Sequence, residues 1–184
     1  MRNFFIILMC VLVSNGVSAD GPTDTLDQYF TVLTSRNYNS LGSIMDSGDM
    51  AELQVLMVNA IRQQARKGRH DLQRRIYGKK VTMKKVRETS SDFFIGQLSR
   101  EILSAADTQH LVVTGQEVLG RVDETEEMVH FLVRVFMTQG ETTASNIRIY
   151  TLVKEGDTWK MKFPDVIKQM LQIIEVSVNQ QFNS

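Results

Sequence analysis

The sequence predicts an α+β domain, with helices packed on a mostly antiparallel sheet and one further helix at the C-terminal end. Three observations predict it. Between Glu127 and Phe163 the apolar residues recur at every second position, the period of strands. Ahead of that stretch, Leu26, Tyr29, Phe30 and Leu33, then Met50, Leu53, Met57, Ala60 and Ile61, recur at helical spacing. Beyond Pro164, the residues Val166, Ile167, Met170, Leu171, Ile174 and Val178 fall along one side of a helix.

In chain order, residues 1–19 read as a cleavable secretory signal. Arg2 gives a positive start, Phe4 to Val13 is an uncharged apolar run, and Val17-Ser18-Ala19 is a small-residue cleavage site before Asp20. The run is about half the roughly 20 residues of a membrane-spanning helix. Cleavage removes Cys10, the single cysteine, so the mature chain has no disulfide, thiolate nucleophile or cysteine-based metal site. The expected product is an exported protein, periplasmic or secreted. Residues 20–184 are one domain's worth of chain, large enough to bury a core without disulfides.

A first helix starts near Pro22 or Thr23, with Thr25 and Gln28 in capping-box spacing, and breaks at Asn37-Tyr38-Asn39. Ser40 caps a short second helix, and Asp46-Ser47-Gly48-Asp49 reads as a turn. The third helix ends at Lys67-Gly68, and Leu72 and Ile76 mark another turn or two before Gly78. Lys79 to Glu88 alternates imperfectly and reads as an exposed edge strand whose lysines discourage pairing with another chain. Ser90-Ser91-Asp92 caps a helix over Phe93 to Ala105. His110 to Val122 is a strand interrupted at Gly115 and Gly120, where bends or bulges belong, and Asp123 to Glu126 turns the chain. Val129, Phe131, Val133, Val135 and Met137 alternate with Met128, His130, Leu132, Arg134 and Phe136, so both faces of this central strand are largely apolar. One face belongs against helices, the other against a pocket or second layer. Gln139 to Ser145 is a turn-rich connection, and Ile147 to Lys154 is a strand joined through Glu155-Gly156-Asp157 to a last strand with Trp159.

The order of helices, strand, helix and a meander closing on Asp157-Thr158-Trp159-Lys160-Met161 resembles the NTF2-like superfamily (SnoaL-like, cystatin-like α+β cone). The opening matches best: Tyr29-Phe30 on the first helix, Asn37-Tyr38 at the break, then Leu41, Ile44, Met45 and Asp46. The resemblance covers most of residues 22–163 as a pattern. It implies a sheet curved into a cone, face-to-face homodimers in some members, and, in the enzymes, a polar acid or base inside the cone. The chain departs from it in the long basic stretch from Arg62 to Gly78 and in the extra helix after Pro164. By that resemblance Tyr29, His130, Arg134 and Tyr150 are the counterparts of cone residues. His130 or Tyr29 is then the candidate acid/base of an isomerase- or dehydratase-type enzyme. With Leu132 and Phe136 the same residues are the candidates for lining a ligand pocket.

Charge is the least ordinary feature of the composition. Loss of Arg2 leaves 20 Lys and Arg against 21 Asp and Glu, yet eleven of the bases and one acid, Asp71, fall between Arg62 and Arg87. Arg74, Arg75, Lys79, Lys80, Lys84 and Lys85 are candidates for binding a polyanion or an anionic surface. Nucleic acid is not expected: export argues against it, and Tyr77 is the lone stacking ring nearby. No metal or cofactor is expected. His70, His110 and His130 are too scattered for ligand spacing, and Asp123 to Glu127 lacks the loop of a calcium site. Glycine-rich phosphate loops, Gly-x-Ser-x-Gly elbows and zinc-protease helices are missing from the sequence. Three functions stay open. The first is a non-enzymatic domain binding an apolar or amphipathic small ligand or an envelope protein. The second is an acid–base enzyme of the cone, and the third a polyanion or membrane-surface binder.

Overall fold

The computed structural model describes residues 21–78, 80–107 and 111–164. The expected signal and the expected helix after Pro164 lie outside the described residues. Helices α1 (Pro22–Ser35), α2 (Ser47–Arg66), α3 (Asp71–Tyr77), α4 (Met83–Glu88) and α5 (Ser91–Asp107) precede four strands. The strands are β1 (Leu111–Thr125), β2 (Met128–Gln139), β3 (Thr142–Glu155) and β4 (Thr158–Met161), paired antiparallel in the order β1-β2-β3-β4. The chain is an α+β protein, helices first, then the antiparallel sheet.

The sheet is a pure meander of two-residue hairpins. Its turns are Glu126-Glu127, Gly140-Glu141 and Gly156-Asp157. Gly140 and Gly156 hold φ of 59° and 62°, the left-handed region that glycine enters without a Cβ penalty. Two expected loops are therefore shorter than the sequence suggested. Thr142 and Thr143 already pair with Gln139 and Thr138, and β1 continues through Asp123 to Thr125.

On β2, Val129, Phe131, Val133 and Val135 are buried against the helical layer with Leu26 and Phe30 of α1 and Leu53 of α2. Alternate residues on a strand face opposite ways, so His130, Leu132, Arg134 and Phe136 stand on the other side.

Of the stretch Lys79 to Glu88 expected as an edge strand, residues 80–88 form no strand. Residues 83–88 are helix α4: Thr82 caps it, its hydroxyl accepting from Lys85 N at 3.3 Å, and Val86 is buried. The short cap-to-cap turn of helix satisfies backbone groups that an edge strand would leave open. Asp46 to Asp49 is likewise a helix start rather than a turn, with Asp46 Oδ1 accepting from Asp49 N at 2.9 Å. The capping-box reading of Thr25 also gives way: Gly21 occupies the N-cap, and Thr25 donates to Gly21 O within the first turn. Residues Tyr38–Ser43 form a 3₁₀ helix pressed onto α5, where a Cβ on Gly42 would stand 2.6 Å from Asp92 Cα.

One polar latch joins helix to sheet. Asp49, buried, accepts from Phe163 N at 2.8 Å. Lys162 Nζ lies 3.3 Å from Asp46 Oδ1 and 3.4 Å from Asp49 Oδ1. Burial pulls the Lys162 ammonium downward, but Asp49 and Asp46 outweigh it, and the net pKa is raised. A raised folded pKa contributes stability that is complete below the ordinary lysine value of about 10.4 and fades as pH climbs through the folded value. Lys162→Met is expected to cost about 1–2 kcal/mol at neutral pH. In chemical denaturation the gap between variant and wild type should narrow as pH rises past the ordinary lysine value; a gap constant with pH would deny the charge its part.

Candidate functional site

The residues that the sequence nominated divide between the two sides of the sheet. Tyr29 and Tyr150 sit on the helix side. Their rings meet at 5.8 Å between centroids, and Phe30 closes the cluster at 5.4 Å from Tyr29 and 5.3 Å from Tyr150. Burial raises both phenol pKa values, and each hydroxyl stays protonated in the neutral range. The cluster is aromatic packing between α1 and β3, worth about 0.5–1.5 kcal/mol per ring pair beyond area burial.

His130, Leu132, Arg134 and Phe136 are on the open side, arranged in cross-strand rows. Val122, His130 and Thr151 form one row; Gly120, Leu132 and Ile149 the next. Glu117, Arg134 and Ile147 follow, and Gly115, Phe136 and Ser145 complete the series. Ile149 is 64% exposed and its partner Leu132 is 40% exposed, while Ile147 and Val122 are exposed beside them. Apolar side chains in water are ordinary when scattered; several in adjacent rows of one sheet face form a patch of the kind that interaction sites use. Gly115 and Gly120 leave the β1 side of this patch without side chains next to Phe136 and Leu132.

Two polar pairs bracket the patch on the β1 side. His130 Nε2 lies 2.5 Å from Glu124 Oε2, and its Nδ1 lies 3.0 Å from Thr151 Oγ1. Arg134 Nη1 donates to Glu117 Oε2 at 2.5 Å. The β1–β2 register slips between Val113 and Gly115, between Val118 and Gly120, and between Asp123 and Thr125. Bulges at the two glycines were legible in the sequence. The third, which leaves Glu124 unpaired beside His130, was not, because Asp123 to Glu126 reads as a turn. Neither Glu117 nor Glu124 was nominated, since register alone brings them to β2.

His130 and Tyr29 therefore lie on opposite sides of the sheet. Among the described residues no group of three His, Cys, Asp or Glu is placed to hold a metal ion. No described helix is long and apolar enough to cross a membrane. Of the basic candidates, Arg74, Arg75, Lys80, Lys84 and Lys85 are exposed on α3, α4 and the link between them, while Lys79 lies outside the described residues.

No family model matches the sequence, and no curated protein matches it. Two solved structures are similar in outline. One is a SEC-C motif containing protein from Rhodopseudomonas palustris, 10% identical, with a TM-score of 0.43 over 79% of this chain and 78% of that one. The other is a SEC-C motif containing protein from Psychrobacter arcticus, 9% identical, with a TM-score of 0.43. It is matched over 83% of this chain, which spans 64% of that protein's length. Likeness at this level says nothing of what this chain does.

The two faces predict an asymmetry in mutant stability. Leu152→Ala, at a side chain with no exposure, is expected to cost about 2–5 kcal/mol. Ile149→Ala, three residues earlier in the same strand, should stay within about 1 kcal/mol of wild type. Equal losses in denaturant melts would mean that the open face is covered in the folded protein.

Proposed function

We propose that the chain is an exported, non-enzymatic interaction module, a variant of the NTF2-like cone, that docks a protein partner on the open face of its sheet. The observation that carries this reading is the exposed apolar spine of Leu132, Ile149 and Ile147, with Val122 at one end and Phe136 at the other. The opposite face of β2 is already filled by the core, so folding does not require these side chains to be apolar. An exposed apolar centre flanked by polar pairs is the anatomy of a protein interface. A small apolar ligand needs a concave site that encloses most of its surface, and a side-by-side ladder of exposed strand residues offers a broad face instead. Export rests on the tripartite pattern of residues 1–19. The cone is supported by the order of elements and by the bulges at Gly115 and Gly120, since bulges bend the strand that carries them.

An acid–base reading has one contact in its favour, the His130–Glu124 pair with Thr151 on the other ring nitrogen. It would have to work on the open face without Tyr29, with substrate lying over β1 and β2.

A photo-crosslinking amino acid at position 149, in the protein exported from its own host, tests the docking face. A discrete adduct is expected from position 149 and from position 122. It should vanish in Leu132→Glu and should not form from position 31 on exposed α1. Adducts with a second copy of the chain would make the partner a homodimer mate. Uniform labelling from all three positions, or none from the sheet, would sink the proposal.

A further inference from the structure

The covered side of the molecule carries a second surface of different chemistry. Helices α2, α3 and α4 are tied into one layer by hydrogen bonds between side chains and backbone. Leu72 N donates to Gln64 Oε1 at 3.1 Å, Gln54 Nε2 donates to Thr89 O at 2.6 Å, and Gln73 Nε2 donates to Val81 O. From this layer Arg66, Arg69, Arg74, Lys80, Lys84 and Arg87 are all exposed. The acids within the same stretch are Asp71 and Glu88, and Glu88 is engaged by Lys84 at 3.8 Å.

Part of this charge has a local reason. Arg66, Arg74 and Arg75 lie in the last turns of α2 and α3, where cations complement the helix dipole. In α4 that reason covers Lys85 and Arg87, which fall in its last turn, but not Lys84, which stands at its second position with no acid in the first turn. Lys80 stands outside any helix. The Lys84–Glu88 pair gives one of them a local use, and the surplus of exposed cations over acids on this layer is available to an anionic partner.

The apolar surface adds a second observation. Eight large apolar side chains are exposed among the described residues; six belong to β1, β2 and β3, and the remaining two are Val55, 60% exposed, and Phe93, 54% exposed. Val55 follows Gln54, the residue bonded to the end of α4 at Thr89. Phe93 opens α5 just after α4, its N–H donating to Ser90 Oγ at 3.4 Å. Exposed cations, with an exposed aromatic and an exposed aliphatic side chain on the helices that flank them, are the chemistry an interfacial membrane site uses: charge for the headgroups, apolar tips for the acyl boundary.

We propose that the layer formed by α2, α3 and α4 docks the protein on a bilayer rich in anionic lipid, with Phe93 and Val55 entering the interface. This surface is separate from the open sheet face, so either can fail without the other. In a bound state the sheet would point away from the lipid and remain free for a protein.

Co-sedimentation of the mature full-length protein with vesicles decides the matter. Vesicles of phosphatidylglycerol and phosphatidylethanolamine are expected to retain it, and phosphatidylcholine vesicles are not. Raising salt from about 0.05 M to 0.5 M should release most of it, as screening of exposed charges requires. The triple substitution Lys80→Glu, Lys84→Glu and Lys85→Glu should weaken binding at least about tenfold. Phe93→Trp supplies a readout that does not depend on charge reversal or on the folding of that variant. Vesicles with brominated acyl chains should quench its added fluorescence, and should not quench a tryptophan placed at Ile149. Equal retention by phosphatidylcholine, binding indifferent to salt, or unquenched Phe93→Trp would overturn the proposal. Binding to soluble polyphosphate or heparin with no binding to vesicles would overturn it too.

Discussion

Everything else in the structure depends on β2 having one face that must be covered and one that need not be. Val129, Phe131, Val133 and Val135 take the core-facing positions, and burying them against α1 and α2 supplies the main driving force for joining helices to sheet. A slip of one residue in the β2–β3 register would turn all four outward and bring His130 and Arg134 into the core. The hairpins at Gly140 and Gly156 guard against that slip by fixing the loops at two residues. The helical layer follows from this. The latch of Asp46, Asp49 and Lys162 then sets where α2 begins relative to the end of β4.

Because the odd positions of β2 complete the core, the even positions are free to serve something else. Evolution of a solvated sheet face would ordinarily leave it polar, as on most one-sided antiparallel sheets. Here Leu132, Ile149 and Ile147 remain apolar in water, while the polar members of the face, Arg134 and His130, are each bonded to a carboxylate from β1. The face is thus largely apolar, with the hydrogen-bonding capacity of its polar members turned inward to β1. The helical layer on the other side has the reverse character, with exposed cations on α3, α4 and the link between them.

Much of this was legible in the residues. Period two between Val129 and Phe163 marked the meander, and the 3.6-residue spacing of Leu53, Met57, Ala60 and Ile61 marked α2. Gly115 and Gly120 announced the first two bulges of β1. Other features depend on register or competition that a linear reading cannot weigh. Val81, Met83 and Val86 alternate like a strand, but Thr82 caps a helix and Val86 buries into it, so a local hydrogen bond overrode the pattern. Asp46 looked like a turn residue because capping and turning use the same side chains. Which side His130 takes was undecidable from alternation, since both sets of side chains on β2 are largely apolar. Its partner Glu124 reaches it only because the chain bulges just before the hairpin.

The two margins of the sheet differ, and that decides where anything can join it. Beyond β4, residue Met161 donates to Ile44 O and accepts from Asp46 N, both at 2.8 Å, in a parallel bridge of Met45 with Met161. The Thr25 hydroxyl caps Trp159 O at 3.4 Å along the same margin. Beyond β1, three bulges within fifteen residues break the regular row of amide and carbonyl groups that an incoming strand would need. On the β3 side the cover is partial: β4 pairs only Leu152 to Glu155, so among the described residues Thr142 to Tyr150 keep an outer row of amide and carbonyl groups, and that is the margin on which an extended peptide could continue the ladder.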